Sequence, residues 1–486
     1  NLPVEIAPSF GASFEIAKKV LIKDALFGVG PENFSLAYDL FKPASMNNTV
    51  FWNIRFSEAT SELFNVFISY GVVGFAAFLF LLWTGLRLGL KNYGLMALFA
   101  VLTASWALYP YNMVMGFGLW LVLGILALSA SEKNDELIIN LEKSPKHSLI
   151  TSVSFVGVLV LAVISFYFVT LRYAANLKFA RALTIQDIDR QTELLVDAVN
   201  LNRNEDMYSR NLANLLVARI SQELQNLNKA RTEDERQAVI PKIQNFSATA
   251  INLGSEITQR HGQDPANWFS RALVYENLIN IVDGAPQWAV RIYDEYSRLS
   301  PKDPVPYLRK GNINLTTADF LRQLNQAKPQ NQISENLALA EKNYQKAIEL
   351  KPNYVLAIYN LSVVYERQGR VKDAIRQLEL TRSAEPLDAN ISLQLGLLYY
   401  RDNQKNQAFS ELQRALTIFP DFSNARWYLA LLYEEMGQID NALEELRKIK
   451  VLNPDNQVLK NKINELETGR RSIPPERVTG VRPLGE

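Results

Sequence analysis

At 486 residues the chain has room for two or three domains, and its 51 lysines and arginines stand against 50 aspartates and glutamates. That balance excludes a nucleic-acid binder or a basic membrane-surface protein. The lack of cysteine excludes a disulfide framework, a thiolate metal site and a cysteine nucleophile. His147 and His261 are the only imidazoles, too few for a histidine metal cluster, so neither a metal nor another cofactor is expected.

The chain opens at Asn1 without a methionine or a signal-like segment, which reads as the C-terminal portion of a longer protein with further spans upstream. Residues 12–26 place Phe14, Ala17, Leu21 and Leu26 among Lys18, Lys19 and Lys23, a pattern that fits a helix on a membrane surface or an ordinary short amphipathic helix. Gly28-Val29-Gly30-Pro31 follows. It lacks the lysine and the strand-to-helix setting of a phosphate loop, so its glycines suit a sharp turn near the membrane, with carrier binding as the other reading. Trp52, Arg55-Phe56 and Glu58-Ala59 come next, and then Gly71-Val72-Val73-Gly74 inside the first apolar run.

Three uncharged stretches, 63–86, 92–131 and 148–171, supply the apolar length. A span needs about 20 such residues, so the first and third each give one, and the second gives two short ones, near 93–109 and 113–130, around Pro110-Tyr111-Asn112. A re-entrant hairpin is the alternative there. The Gly71, Gly74, Gly85 and Gly89 spacing suits close helix contact. No ionisable residue sits mid-span, which argues against a channel, pump or transporter. Arg87 and Lys91, then Lys133, Lys143 and Lys146, mark the cytoplasmic loops; residues 1–62 and all that follows residue 172 then lie outside, although Arg172, Lys178 and Arg181 reduce the bias.

The order of the Gly28-to-Phe34 segment, Arg55, Glu58 and the Gly71-to-Gly74 segment resembles the bacterial O-antigen ligase and polymerase superfamily over roughly residues 20–171. The resemblance implies an integral-membrane transferase without a metal. Such an enzyme moves a glycan from a polyprenyl pyrophosphate carrier to an acceptor on the outer face of the bacterial cytoplasmic membrane. It further implies pyrophosphate binding by Arg55 with Gly28, Gly30 and Pro31, and catalysis by Arg55 and Glu58. The family's usual histidine falls on Thr60, whose hydroxyl cannot serve as a base near neutral pH, so Glu58 or Glu62 takes the role, or the site is rearranged, or transfer has been lost. For Arg55 a snorkelling interfacial arginine is the plain alternative, and for the two glutamates a helix N-terminus.

Beyond the membrane half, Tyr365, Tyr399 and Tyr433, then Ala374, Ala408 and Ala442, then Pro386, Pro420 and Pro454 recur every 34 residues. The pattern resembles the tetratricopeptide repeat, in which small residues let two helices approach, large ones fill the gap between hairpins, and proline stops the second helix. A looser copy holds Trp268, Ala272, Tyr275, Ala289, Tyr293 and Pro301. Another runs from Tyr307 and Gly311 to Tyr344 and Pro352 with roughly seventeen extra residues. Degenerate hairpins start at Leu194, Ala198, Tyr208 and Leu212, giving five or six in all. The groove of such an array would carry Tyr359, Arg367, Asn390, Tyr400, Arg401, Asn424, Trp427 and Glu434, suited to a protein or glycan acceptor, although packing against the next hairpin explains the aromatics equally well.

The expected architecture is all-α, a transmembrane helical bundle followed by an α-solenoid. Its parts are an extracytoplasmic loop (1–62), about four spans (63–171), degenerate hairpins (172–300), repeats with a polar-faced cap (301–468) and a disordered tail (469–486). The expected function is glycan transfer with the repeats, outside the membrane, recruiting an acceptor or partner. A non-catalytic membrane-anchored scaffold is the alternative.

Overall fold

A computed structural model describes residues 7–130, 145–279, 281–323 and 330–469. Every regular element among the described residues is helical, and the chain divides into two compact units, Asn1–Pro306 and Tyr307–Glu486. The expected tail (469–486) beyond Gly469, and Lys133 and Lys143 of the linker, lie outside the described residues.

The first unit opens with α1 (Phe10–Asp24), capped where the Ser9 hydroxyl accepts from the Ala12 N–H at 3.2 Å. Ala12, Ile16, Ala17 and Val20 recur at helical spacing and bury one face of α1 against Phe34, Ala37 and Tyr38 of α2 (Phe34–Phe41) and against Phe56, Ala59 and Ile68. Next comes α3 (Glu62–Gly89), and it is broken. Gly71 has φ 64° and ψ −160°, so the carbonyls before it and the N–H groups after it lose their helical partners. The glycine-rich loop replaces them: Val29 N–H donates to Ile68 O (3.0 Å), Gly30 N–H to Ser69 O (2.9 Å), Val72 N–H to Ala25 O (2.9 Å) and Val73 N–H to Leu26 O (3.1 Å).

The backbones cross so closely that a Cβ on Gly28 would lie 2.3 Å from Ile68 O, and one on Gly71 would lie 2.6 Å from Leu26 O. The apolar run read as one span is thus kinked at Gly71, a feature that a tally of apolar residues does not carry. α4 (Tyr93–Leu108) runs back along the second segment, with Gly85 and Gly89 admitting Phe99 and Met96. Its end meets the start of α3, where Glu62 N–H donates to Tyr109 O at 3.0 Å. Sixteen helical residues reach about 24 Å and 28 would reach about 42 Å, so the bend at Gly71 is what lets the two ends meet.

With α5 (Met113–Ala130) these helices share a core of Phe99, Trp106, Leu119, Val122 and Leu126. Among the described residues two helices are long and apolar enough to cross a membrane: α3, and the Ser148–Ala182 part of α6 (Pro145–Ala182). α4 and α5 are shorter apolar helices, so the expected four-span bundle reduces to two helices of crossing length. Residues 149–170 of α6 are exposed on all sides.

The end of α6 starts the solenoid. Ala175, Phe179 and Ala182 are buried there, and Tyr208 donates to Asn176 Oδ1 at 2.5 Å. α7 (Ile188–Leu201), α8 (Asp206–Lys229) and α9 (Glu233–Arg260) follow, then the hairpin α10 (Pro265–Asn277) and α11 (Ala285–Leu299). The expected inward residues Leu194, Ala198, Tyr208, Leu212, Ala272, Ala289 and Tyr293 are all buried.

The second unit stacks hairpins from α12 (Val305–Gln323) and α13 (Gln330–Leu350) through α14 (Val355–Arg367) with α15 (Val371–Ala384) and α16 (Ala389–Arg401) with α17 (Lys405–Ile418). α18 (Ser423–Glu435) with α19 (Ile439–Leu452) completes it, and α20 (Gln457–Glu467) lies on the end. The extra residues of the Tyr307 repeat lengthen α12 and α13, to 19 and 21 residues. Each later hairpin turns through a residue of positive φ, Gly369 (78°), Asn403 (60°) and Gly437 (77°), again 34 apart.

The cap is pinned by a buried ion pair: Lys462, 2% exposed, holds Glu434 at 2.8 Å. Lys462→Ala would strand that carboxylate and should cost about 3 kcal/mol. Hydrogen exchange in α18–α20 should rise accordingly, whereas unchanged protection would show the pair to be dispensable.

Candidate binding site

A cavity of ≈ 250 Å³ opens in the first unit between the segment ahead of α3 and the α10–α11 hairpin. Asp39 and Tyr38 reach it from α2, Lys42, Trp52 and Arg55 from the loop, Phe269 from α10, and Tyr296, Ser300 and Asp303 from α11 and the turn beyond it. Arg55 is its centre. The guanidinium donates from Nε to Asp39 Oδ2 at 2.7 Å, pairs through Nη2 with the same oxygen at 2.7 Å, and meets Asp264 Oδ1 at 2.9 Å. Asp264 is placed by its own helix: as the N-cap of α10 its Oδ1 accepts from Ala266 N–H at 3.0 Å, and its other oxygen lies 3.3 Å from Arg210 Nη1. Asn47 adds a second tie, donating to Lys302 O at 2.8 Å.

Burial pushes the Asp39 carboxyl up to about 7; Arg55 pulls the other way, and Asp264 and Asp303 add to the rise. Burial also raises the Tyr38 phenol, which stays a proton donor at neutral pH. Tyr296 donates to Asp303 Oδ2, and the other oxygen of Asp303 accepts from Val305 N–H at 2.9 Å. Among the described residues, Tyr38 and Ser300, 2% and 3% exposed, have no hydrogen-bond partner for their hydroxyl oxygens.

A carboxyl that titrates higher in the folded chain than its ordinary 3.8 binds its proton more tightly there. Its contribution to folding is therefore full below about pH 4 and is lost as pH rises through about 7. Asp39→Asn should flatten the pH dependence of loop protection between about pH 4 and 7, measured by hydrogen exchange. A slope as steep as that of the unaltered chain would assign the titration to another group.

Of the residues expected at the site, only Arg55 lines this cavity. Gly28 and Gly30 are taken up in the crossing with α3, and Pro31 is exposed beside them. Glu58 is exposed, whereas Thr60 is buried, its N–H donating to Ser13 Oγ at 3.1 Å. The cavity's carboxylates, Asp39 and Asp303, and its hydroxyls Tyr38 and Ser300 were not among the expected residues. They come from distant segments and carry no local pattern.

In the second unit several groove residues join one another across hairpins. Arg367 pairs with Asp319 at 2.9 Å, Arg401 with Glu366, Tyr400 donates to Glu435 at 2.6 Å, and Glu434 holds Lys462. Asn390 is exposed, and Tyr359 and Asn424 are half-buried. Trp427 is 1% exposed and belongs to the interior, where the run from Trp427 to Leu432 is wholly buried. The expectation that its ring faces the groove is corrected: first-helix position alone does not show which side chains the neighbouring hairpin covers.

Family models described as tetratricopeptide repeat match residues 343–376 and 400–463. The chain carries tetratricopeptide repeats. Protein O-mannosyl-transferase TMTC3 of Homo sapiens is 28% identical over 148 residues, 26% of this chain. The match spans 16% of that protein's length. Among solved structures, a tetratricopeptide repeat protein from Parabacteroides merdae is 13% identical with a TM-score of 0.38, covering 61% of this chain and 99% of that one. MamA from Desulfovibrio magneticus is 23% identical with a TM-score of 0.29, covering 41% and 97%.

Proposed function

We propose that the chain is part of a membrane-bound glycan transferase of O-antigen ligase or polymerase type, with its repeats on the extracytoplasmic side of a bacterial cytoplasmic membrane. The observation that carries the reading is the Arg55–Asp264 ion pair. Among the described residues Arg55 precedes the apolar helices and Asp264 follows them, so their contact supports a placement of both on one face, with an even number of crossings between them. α3 and α6 supply two crossings, α4 and α5 complete the fold as a further pair, and the all-round apolar surface of α6 suits hydrocarbon. The proposed division is a loop domain (1–62), a membrane domain (63–171), degenerate hairpins (172–300) and a repeat domain (301–468).

An apolar slot of ≈ 300 Å³ between α1 and α3, lined by Phe14, Leu21, Phe64, Phe67 and Phe75 with Lys18 on its wall, has the chemistry for a polyprenyl tail and its phosphate. Likeness to a protein O-mannosyl-transferase supports glycan transfer as the class of reaction. Arg55 and Glu58 remain the proposed catalytic pair, with Gly28, Gly30 and Pro31 shaping the carrier's approach. The repeat groove around Tyr400 and Arg401 takes a protein or glycan acceptor.

The burial of Thr60, where the resemblance puts a catalytic histidine, favours a second reading as a membrane-anchored scaffold. Membrane vesicles carrying the full chain and a polyprenyl pyrophosphate-linked glycan separate the two. Transfer should fall at least a hundredfold in Arg55→Ala and Glu58→Ala with expression intact, about the share of a positioned catalytic group. Unchanged transfer, with a co-purifying partner lost in Tyr400→Ala and Arg401→Ala, would favour the scaffold.

A further inference from the structure

The lining of the Arg55 cavity has a specific balance. Two carboxylates, Asp39 and Asp303, stand against two cations, Lys42 and Arg55, so the lining mixes both signs. A pyrophosphate would meet both carboxylates, with a third, Asp264, on the far side of Arg55, and the guanidinium is already engaged by Asp39 and Asp264. A free cation would meet Lys42 and Arg55. Charge thus selects a neutral ligand.

Chemistry narrows it further. Buried hydroxyls in native proteins nearly always have partners, yet among the described residues those of Tyr38 and Ser300, two residues of the cavity's lining, have none. A phenol that stays protonated and a serine can each donate to or accept from a ligand hydroxyl, and carboxylates accept from others. Trp52 and Phe269 add two aromatic rings to the lining. Hydroxyls around an edge and C–H groups on a face are the features of a sugar ring. At ≈ 250 Å³ the space is below the usual range for extended ligands and suits one ring.

We propose that this cavity, shared by the loop and the first well-formed repeat hairpin, binds a single neutral sugar unit. The role of that unit as part of the glycan being transferred rests on the reading given above. Trp52 and Phe269 hold its apolar face, Tyr38 and Ser300 hydrogen-bond its hydroxyls, and Asp39 accepts from one more. Because Asp39 and Asp264 share Arg55, an occupant that bonds to Asp39 also bears on the tie between loop and repeat.

The full chain, purified in lauryldimethylamine oxide so that no sugar detergent competes, can be screened by saturation-transfer NMR. The probes are free glucose, galactose, mannose, rhamnose and N-acetylglucosamine. At least one should bind, and Tyr38→Phe and Ser300→Ala should each weaken it by about five- to tenfold, the loss expected of one hydrogen bond. Both variants should melt at or above the temperature of the unaltered chain, since each removes an unpartnered buried hydroxyl. No binding by any of the five sugars, or binding undiminished in both variants, would overturn the proposal. So would a lowered melting point in both variants without sugar binding, which would mark the hydroxyls as partners of water in the fold. The vesicle transfer assay keeps the two readings apart: transfer without sugar binding rejects the cavity alone, and sugar binding without transfer rejects the glycan-transferase reading alone.

Discussion

Gly71→Ala is expected to leave little folded chain. At φ 64° and ψ −160° the backbone lies where only glycine is at ease, and a Cβ there would meet Leu26 O and Gly28 N at 2.6 Å. The neighbours are backbone, so no rotamer change relieves the clash. Relief would part the two crossing segments and with them the four hydrogen bonds that replace the broken helical ones. Strain of about 1–3 kcal/mol and about 1 kcal/mol per lost bond sum to about 5–7 kcal/mol, comparable with the whole stability of many domains. Gly28→Ala should behave alike, its Cβ falling 2.3 Å from Ile68 O, whereas Gly124→Ala, with open space around it, should be silent. The monodisperse fraction after detergent extraction measures this. Equal yields for Gly71→Ala and Gly124→Ala would show that the crossing does not hold the loop.

Arg55→Ala should free the loop from the hairpin without unfolding either. Of the three carboxylates Asp39, Asp264 and Asp303, only Asp264 would then keep a guanidinium, that of Arg210. Removing one partner of a buried pair costs about 3–5 kcal/mol; because the Arg55 side chain is 34% exposed, about 2–3 kcal/mol is the better figure. The loss should depend on pH. Asp39 already holds its proton up to about 7, and without Arg55 it holds it higher still, so the variant should recover below about pH 6 and be weakest above about 8. Protease cleavage within residues 42–56 is the readout. A variant cut no faster than the unaltered chain at alkaline pH would show that Asn47 and the surrounding contacts suffice.

Much of the solenoid was legible because its logic is periodic. Tyr365, Tyr399 and the alanines at 374, 408 and 442 are buried where the 34-residue spacing puts them. The same spacing carried a further signal, the left-handed residues Gly369, Asn403 and Gly437, which two glycines and an asparagine announce once the turn is known. Gly71 was less legible. A glycine in an apolar run reads as a packing residue, as Gly85 and Gly89 are, and nothing local shows that another glycine, Gly28, comes to cross it. The cavity was least legible: Tyr38, Arg55, Asp264 and Ser300 are united only by the docking of a loop on a hairpin more than 200 residues away. Composition and motif point to Arg55, and only the fold supplies its carboxylates.

The docking of that loop on the repeats is the claim on which the rest depends, and the cysteine-free chain allows a clean test. Asn53 and Ala266 line opposite sides of the cavity and neither is buried, so Asn53→Cys and Ala266→Cys can be combined in the full chain within native membranes. After treatment with a short bis-methanethiosulfonate, peptide mass spectrometry should find the two cysteines joined within one chain. Two cysteines that each take reagent yet never join would place loop and repeats apart and contradict the account.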